Sequence, residues 1–405
     1  MSESPIPNAK HAVATLRDFE AFDQALGQQG VSGALKFLEQ QFRERQQYPQ
    51  LFEVLKMGCR NRLGLPLIHD SSTAQPLNEA SQRQLEEGLL EACLEVGLLL
   101  WEQGNLEQGW RYLQAVGNRA EIATALQRVP VDDENLDFVI EIAMNQGIAP
   151  VFGYQLVLQK YGTCNAITAF DMQAVHLDHL SRLRLAQALL HHLYGELRGN
   201  IIHWLQQQRA AANLSAPHAE IVTQGSLSEL IAANPLASAQ HGHHIDATHL
   251  ASVVRIARLV CEPSDIRIAL ELTNYGLELH SDFHYPGLPP FEETYLDHQK
   301  FYQAQLGIEV EAGLKHFRDK CDTVPTDRFG AIAFENLADL LIRLGRRDDA
   351  IKLLTEHVWG KLQSTGLIGN VFTIPQTAGE QARLQNYFRS QLDLLSFAVS
   401  RLHSG

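Results

Sequence analysis

Residues 334–354 read FENLADLLIRLGRRDDAIKLL. Phe334, Leu337, Ala338 and Leu341 recur at three- and four-residue intervals, which places them on one face of a helix. Gly345-Arg346 interrupts the run. Ala350 and Leu354 then resume the same spacing, so the segment predicts two antiparallel helices joined by a tight turn. The small side chains at 338 and 350 let the helices approach, and the larger ones fill the space between them. Residues 93–113, CLEVGLLLWEQGNLEQGWRYL, repeat the arrangement. Here Cys93, Val96, Leu100 and Leu113 are the fillers, Gly97 and Gly109 the small positions, and Gly104 the break.

These spacings resemble the tetratricopeptide repeat. A looser third copy begins near Phe19, where Gly30 and Ala34 stand one residue too close for the pattern. No regular 34-residue period links the copies. The resemblance implies a TPR-like α-solenoid and, through it, a peptide-binding function.

Helical periodicity runs through the rest of the chain, and no segment reads convincingly as a strand. Helices are predicted near 17–28, 31–46, 48–62, 77–103, 105–116, 118–128, 134–146 and 148–161. Others are expected near 178–208, 247–261, 264–280, 291–305, 307–319, 327–344, 347–358 and 378–403. The expected fold is all-α: stacked antiparallel hairpins forming a superhelix or partial α/α ring. It comprises a helical repeat region at 1–208, a linker with a His-rich loop at 209–246, and a C-terminal helical region at 247–405. One continuous core is expected, with 209–246 as its only plausible division.

The 405 residues are 45% hydrophobic and 20% charged, an ordinary globular composition. A formal charge of -14, with no Lys/Arg run longer than two, argues against nucleic acid and against anionic membrane surfaces. Cys59, Cys93, Cys164, Cys261 and Cys321 lie far apart, which rules out CxxC motifs and suits reduced thiols. The N-terminus carries no signal-peptide pattern, and no apolar run is long enough to span a bilayer. A cytoplasmic protein with no membrane association is expected.

Chemistry concentrates between His241 and His298, where seven of the eighteen histidines fall. The stretch begins HGHHIDATH and ends LHSDFHYPGLPPFEETYLDH. Imidazole and carboxylate are the usual ligands of Zn, Fe and Mn. On helical wheels His249 borders the arc of Leu250, Val253, Val254, Ala257 and Cys261. His280 extends the stripe of Ile266, Ala269, Leu270, Thr273 and Leu277, and His298 shares a face with Phe291, Tyr295 and Tyr302. Three imidazoles on core-facing sides of consecutive helices imply either a hydrogen-bond network or a divalent metal. The expected metal set is His244, Asp246, His249, His280 and His298, with Asp297 an alternative to Asp246. Arg255 and Tyr295 would act in the pocket with Tyr302, and Glu293 or its neighbour Glu292 would serve as a general base.

Each of these residues also has an ordinary reading. A single histidine on an apolar face is usually a core residue bonded to a carbonyl. Arg255 and Arg258 suit a solvated face, and Glu292 and Glu293 suit the start of a helix. His241 and His243 are weaker loop candidates, and His284 suits a surface loop. HGHHID is superficially similar to the HxHxDH motif of metallo-β-lactamases, but His244 and Ile245 occupy the Asp and final His positions. His192, Glu196 and His203 align on 178–208, a quarter-turn from the apolar stripe Ala186, Leu190, Leu193, Leu197 and Ile201. An ordinary surface pair is the better reading there, as it is for His176 and His179. Gly195 and Gly199 suit close helix packing.

No phosphate loop, dinucleotide fingerprint, HExxH or GxSxG is present, so no nucleotide cofactor is expected. Two readings follow. One is a metal-dependent hydrolase, hydratase or isomerase acting on a small molecule. The other is a non-catalytic module whose acidic groove holds a basic or neutral peptide.

Overall fold

The computed structural model describes residues 14–68, 77–211, 225–240, 244–362, 364–365, 367 and 371–403. Among them all regular structure is helical, and no strand occurs. No helix among them is long and apolar enough to cross a membrane. The chain divides into two compact units, Met1–Leu156 and Val157–Gly405.

In the first unit, α1 (Leu16–Glu44) packs on α2 (Tyr48–Arg62), α2 on α3 (Glu79–Glu102), and α3 on both α4 (Leu106–Leu113) and α5 (Arg119–Leu126). Helix α6 (Leu136–Ile140) runs on into a π-helical turn at Glu141–Asn145. α1 kinks at Gly30, whose φ of 65° is open to glycine without steric cost. This is the break read between 17–28 and 31–46. The predicted close approach in 93–113 is present. A Cβ on Gly97 would meet Leu113 Cγ at 2.5 Å, and one on Gly109 would meet Gly97 O at 2.7 Å. Val96, Leu100 and Leu113 are buried between the helices, and Trp101 donates its indole N–H to Leu106 O across the turn.

Helix α7 (Pro150–Gln173) leads into the second unit and kinks at Gly162. There α8 (His179–Ala211) buries Ala186, Leu190, Leu193, Leu197 and Ile201 completely. Removing such side chains from water is worth about 1.5–3 kcal/mol for each large one. The stripe packs on α10 (Ala247–Ile256) and α11 (Pro263–Glu278), which follow the short α9 (Leu227–Ala233). Helices from both sides of 209–246 therefore share one core, and this segment joins parts of a single unit.

α10 and α11 also pack with α12 (Thr294–Gln305), and α12 packs on α13 (Val310–Thr323). After the single turn of α14 (Thr326–Phe329), α15 (Ile332–Arg343) and α16 (Arg347–His357) form the hairpin read in 334–354. Its turn is at Gly345, φ 73°, and Ala338 and Ala350 are fully buried at the helix contact. α17 (Ala378–Ser390) packs on α16, and α18 (Leu394–His403) packs on α17.

Candidate functional site: a cation-lined cavity

α10 starts where Asp246 caps it. The carboxylate accepts from Thr248 N at 2.8 Å and His249 N at 3.3 Å, satisfying two of the free N–H groups at the helix start. These bonds, led by the one from the Thr248 hydroxyl, hold the Asp246 carboxyl below the usual range. With Leu250, Val253 and Val254 facing the core, the opposite side of α10 carries Thr248, Ala251, Ser252 and Arg255 at i, i+3, i+4 and i+7. That polar side forms one wall of a cavity of about 610 Å³. Arg258, in the 3₁₀ turn after α10, extends the same wall.

The facing wall comes from the proline-rich loop. Tyr285 to Pro289 line the cavity, and Phe291, Thr294 and His298 continue the surface onto α12. The loop folds back tightly. Gly287 N donates to Glu292 O at 3.0 Å, and Thr294 Oγ1 donates to Tyr285 O at 2.6 Å. A Cβ on Gly287 would stand 2.1 Å from Phe291 O, so only glycine fits there. The Pro289–Pro290 bond is cis. Phe329, Ile332, Asn336 and Thr365 complete the lining. Thr365 is held in place by Glu335, a buried carboxylate that accepts from Thr365 N at 3.0 Å and Ser364 Oγ at 2.6 Å.

Among the described residues the charge in this cavity is one-sided: Arg255 and Arg258 line it, and no Asp or Glu does. Arg255 is paired with Asp171 at 3.0 Å, both half-exposed. Arg258 has no carboxylate within ion-pair distance among the described residues. Its guanidinium donates to Asn336 Oδ1 at 3.2 Å and, through Nε, to Arg255 O at 3.3 Å, and it lies 4.4 Å from the Phe291 ring centroid. Asn336 donates its amide to Ile332 O, which fixes its oxygen toward the arginine. Solvent reaches Arg258 through the cavity, but protein crowds its other sides. That desolvation, ahead of the charges nearby, pulls its pKa below the usual arginine value.

His298 is 1% exposed, with its ring centroid 4.4 Å from that of Phe291. Nδ1 donates to Thr294 O one turn back, and Nε2 has no hydrogen-bond partner among the described residues. A carbonyl oxygen can only accept, so Nδ1 carries the ring proton. Burial, aided by the Arg258 charge, pushes the pKa of His298 down to about 3, and the imidazole is neutral at pH 7.

The five residues read as metal ligands do not form a site. Among the described residues no group of three or more His, Cys, Asp or Glu could hold a metal ion. His244 is buried in the core against Tyr275 OH at 2.8 Å and edge-on to Trp204. Asp246 is spent as a helix cap, and His249 lies half-buried on α10 away from the cavity. His280 is exposed and paired with Asp282, because α11 stops at Glu278 and Leu279 is extended, which ends the stripe before His280. Only His298 of the five lines the cavity. His241 and His243 lie outside the described residues.

Of the residues read as catalytic, Arg255 is in the cavity and the other two are not. Tyr295 is buried against Gly276, with its hydroxyl 3.5 Å from Ala247 O. Glu293 is exposed at the start of α12. Tyr302, buried too, donates to Val254 O at 2.6 Å. Asp297 faces away from the cavity into a separate network. It is fully buried and accepts from His316 Nε2 at 2.7 Å, Glu293 N at 2.8 Å and Lys320 Nζ at 3.2 Å. Lys320 also meets Glu292 at 2.7 Å, and together these carboxylates overcome burial to hold its ammonium above the usual range.

On α8, Glu196 and His203 of the second constellation bond to residues outside it. Glu196 accepts from Thr163 Oγ1 at 2.7 Å, and His203 pairs with Gln207. Among the described residues a Cβ on Gly195 or Gly199 would meet nothing within 4 Å, so these glycines mediate no close packing there. The polar contact that does matter there is His191 with Asp265 at 2.8 Å. Sequence reading also passed over Thr248, Ser252, Phe329, Asn336 and Thr365. The one available signal was the small polar stripe on α10 opposite its apolar arc. In comparisons with protein-family models, curated proteins and solved structures, none matches the chain.

Proposed function

We propose that this chain is a TPR-like helical-repeat protein that binds a small organic anion, a carboxylate or a phosphate ester, in the cavity between α10, α12 and α15. The observation that carries this reading is Arg258: a desolvated guanidinium that, among the described residues, pairs with no carboxylate and stands in a cavity lined by no acidic residue, on a chain of net charge -14. A partly desolvated charge without an ion-pair partner is costly, and a ligand anion offsets that cost while matching the donor fork of the guanidinium. Arg255 adds a second positive charge at the rim. Thr248 and Ser252 offer hydroxyls, and Leu288, Phe291, Phe329 and Ile332 receive an apolar body. The volume suits a small molecule. A basic or neutral peptide, expected from overall charge, would meet the wrong local charge here, and among the described residues a metal centre has no ligand cluster to support it.

The test is calorimetric titration of the purified protein with a panel of small aromatic carboxylates and phosphate monoesters. Binding should be lost by tenfold or more in Arg258→Gln at an unchanged circular dichroism spectrum. A panel that binds neither protein, or binds both equally, overturns the reading.

A further inference from the structure

Resting on that anion-binding reading, His298 narrows the ligand further. Its Nδ1 proton is committed to Thr294 O, so Nε2 presents a bare lone pair. The side chain is buried, lines the cavity, and Nε2 has no partner among the described residues. An acceptor left in that state is costly, and a ligand donor removes the cost. Arg258 is not that donor: Nε2 receives no hydrogen bond from it, and of the guanidinium's five N–H groups one on Nε goes to Arg255 O and one on Nη1 to Asn336 Oδ1, which leaves others for an anion. The Arg258 guanidinium carbon and the His298 ring centroid are each 4.4 Å from the centroid of Phe291. They are therefore separated by at most twice that distance.

We infer that the ligand is a hydroxy acid: its anion faces Arg258, and its hydroxyl, a few bonds away, donates to His298 Nε2. Because the imidazole is neutral, it serves as acceptor without competing for the anion, so the two ends of the ligand are sorted. An acid lacking the hydroxyl would leave the acceptor unmatched, and sites built to meet a ligand hydroxyl discriminate strongly against the deoxy analogue.

The experiment compares 3-phenyllactate with 3-phenylpropionate, which share one skeleton and differ by the hydroxyl. Dissociation constants are measured for wild type, His298→Leu and His298→Gln. Wild type should prefer phenyllactate by about tenfold or more. His298→Leu should bind the two acids equally, and His298→Gln, which can still offer a carbonyl oxygen, should keep part of the preference. Equal affinities in wild type, or a preference that survives His298→Leu, overturn the inference while leaving the anion site standing. If His298→Leu fails to fold, the wild-type ratio and His298→Gln decide. If wild type binds neither acid, the anion site for this ligand class falls, and the hydroxyl assignment falls with it.

Discussion

Gly276 on α11 lies so close to Tyr295 on α12 that a Cβ at position 276 would stand 2.3 Å from Tyr295 Cε1. Tyr295 is 2% exposed and cannot swing away, so this contact fixes how closely α11 packs on α12, the helix that carries Thr294 and His298 of the cavity wall. Gly276→Ala should therefore destabilise the protein by about 1–3 kcal/mol through overpacking. Gly199→Ala is the control: it lies on α8 with nothing within 4 Å of its would-be Cβ. It should be neutral or stabilising by up to about 1 kcal/mol, from helix propensity. Urea unfolding of both variants checks the contrast, and similar losses would refute it.

In the first unit the same logic applies at Gly97, where a Cβ would meet Leu113 Cγ at 2.5 Å and Gly109 O at 3.1 Å. The second of these atoms is backbone and cannot rotate aside. Gly97→Ala should cost about 1–3 kcal/mol, and Gly97→Leu should leave α3 and α4 unable to pair. Near-ultraviolet circular dichroism, which reads Trp101 and Trp110 near this contact, should report the loss.

Asp297 is the buried junction between α12 and α13. Asp297→Ala would leave Lys320 with Glu292 alone, would leave His316 without its carboxylate, and would free Glu293 N. A destabilisation on the order of 3 kcal/mol is expected. Because the network faces away from the cavity, affinity for a small acid should change little. A stability loss with affinity unchanged is the predicted pattern in paired thermal-melt and calorimetry runs.

His298 makes stability depend on pH. Its folded-state pKa, about 3, lies below the ordinary 6.5, so the unfolded chain binds the extra proton first. Stability from this group is therefore full above pH 6.5 and is lost as pH falls toward 3, at up to about 1.4 kcal/mol per pH unit. His298→Gln removes the titration. Between pH 6.5 and 4.5 its stability should fall less steeply than that of wild type in urea titrations at matched ionic strength. Parallel slopes would place the titration elsewhere.

How much was legible in the sequence differs between the fold and the site. The apolar stripe of α8, the turns at Gly104 and Gly345 and the break at Gly30 follow from local rules, because the 3.6-residue period and the freedom of glycine act within a few residues. Burial of His298, Tyr295 and Tyr302 on one helix was legible for the same reason. The metal set is dispersed at identifiable points: α11 ends two residues before His280, Asp246 is taken up at the surface as a helix cap, and Tyr275 claims His244. Periodicity says which side of a helix is apolar, but not whether the polar side meets water or a cavity.

That last distinction separates the two kinds of information in this chain. Sequence by itself determined that the chain is helical, where most helices break, and which small residues let hairpin partners close, since these depend on backbone geometry and short-range patterning. Tertiary structure alone decided that Arg258, His298, Asn336 and Thr365, spread over more than a hundred residues, share one cavity. It also decided that Arg258 forms no ion pair among the described residues and that Asp297 faces His316 and Lys320 instead. The reason is physical: desolvation and charge pairing depend on what packs against a group from distant segments, and no local pattern encodes that.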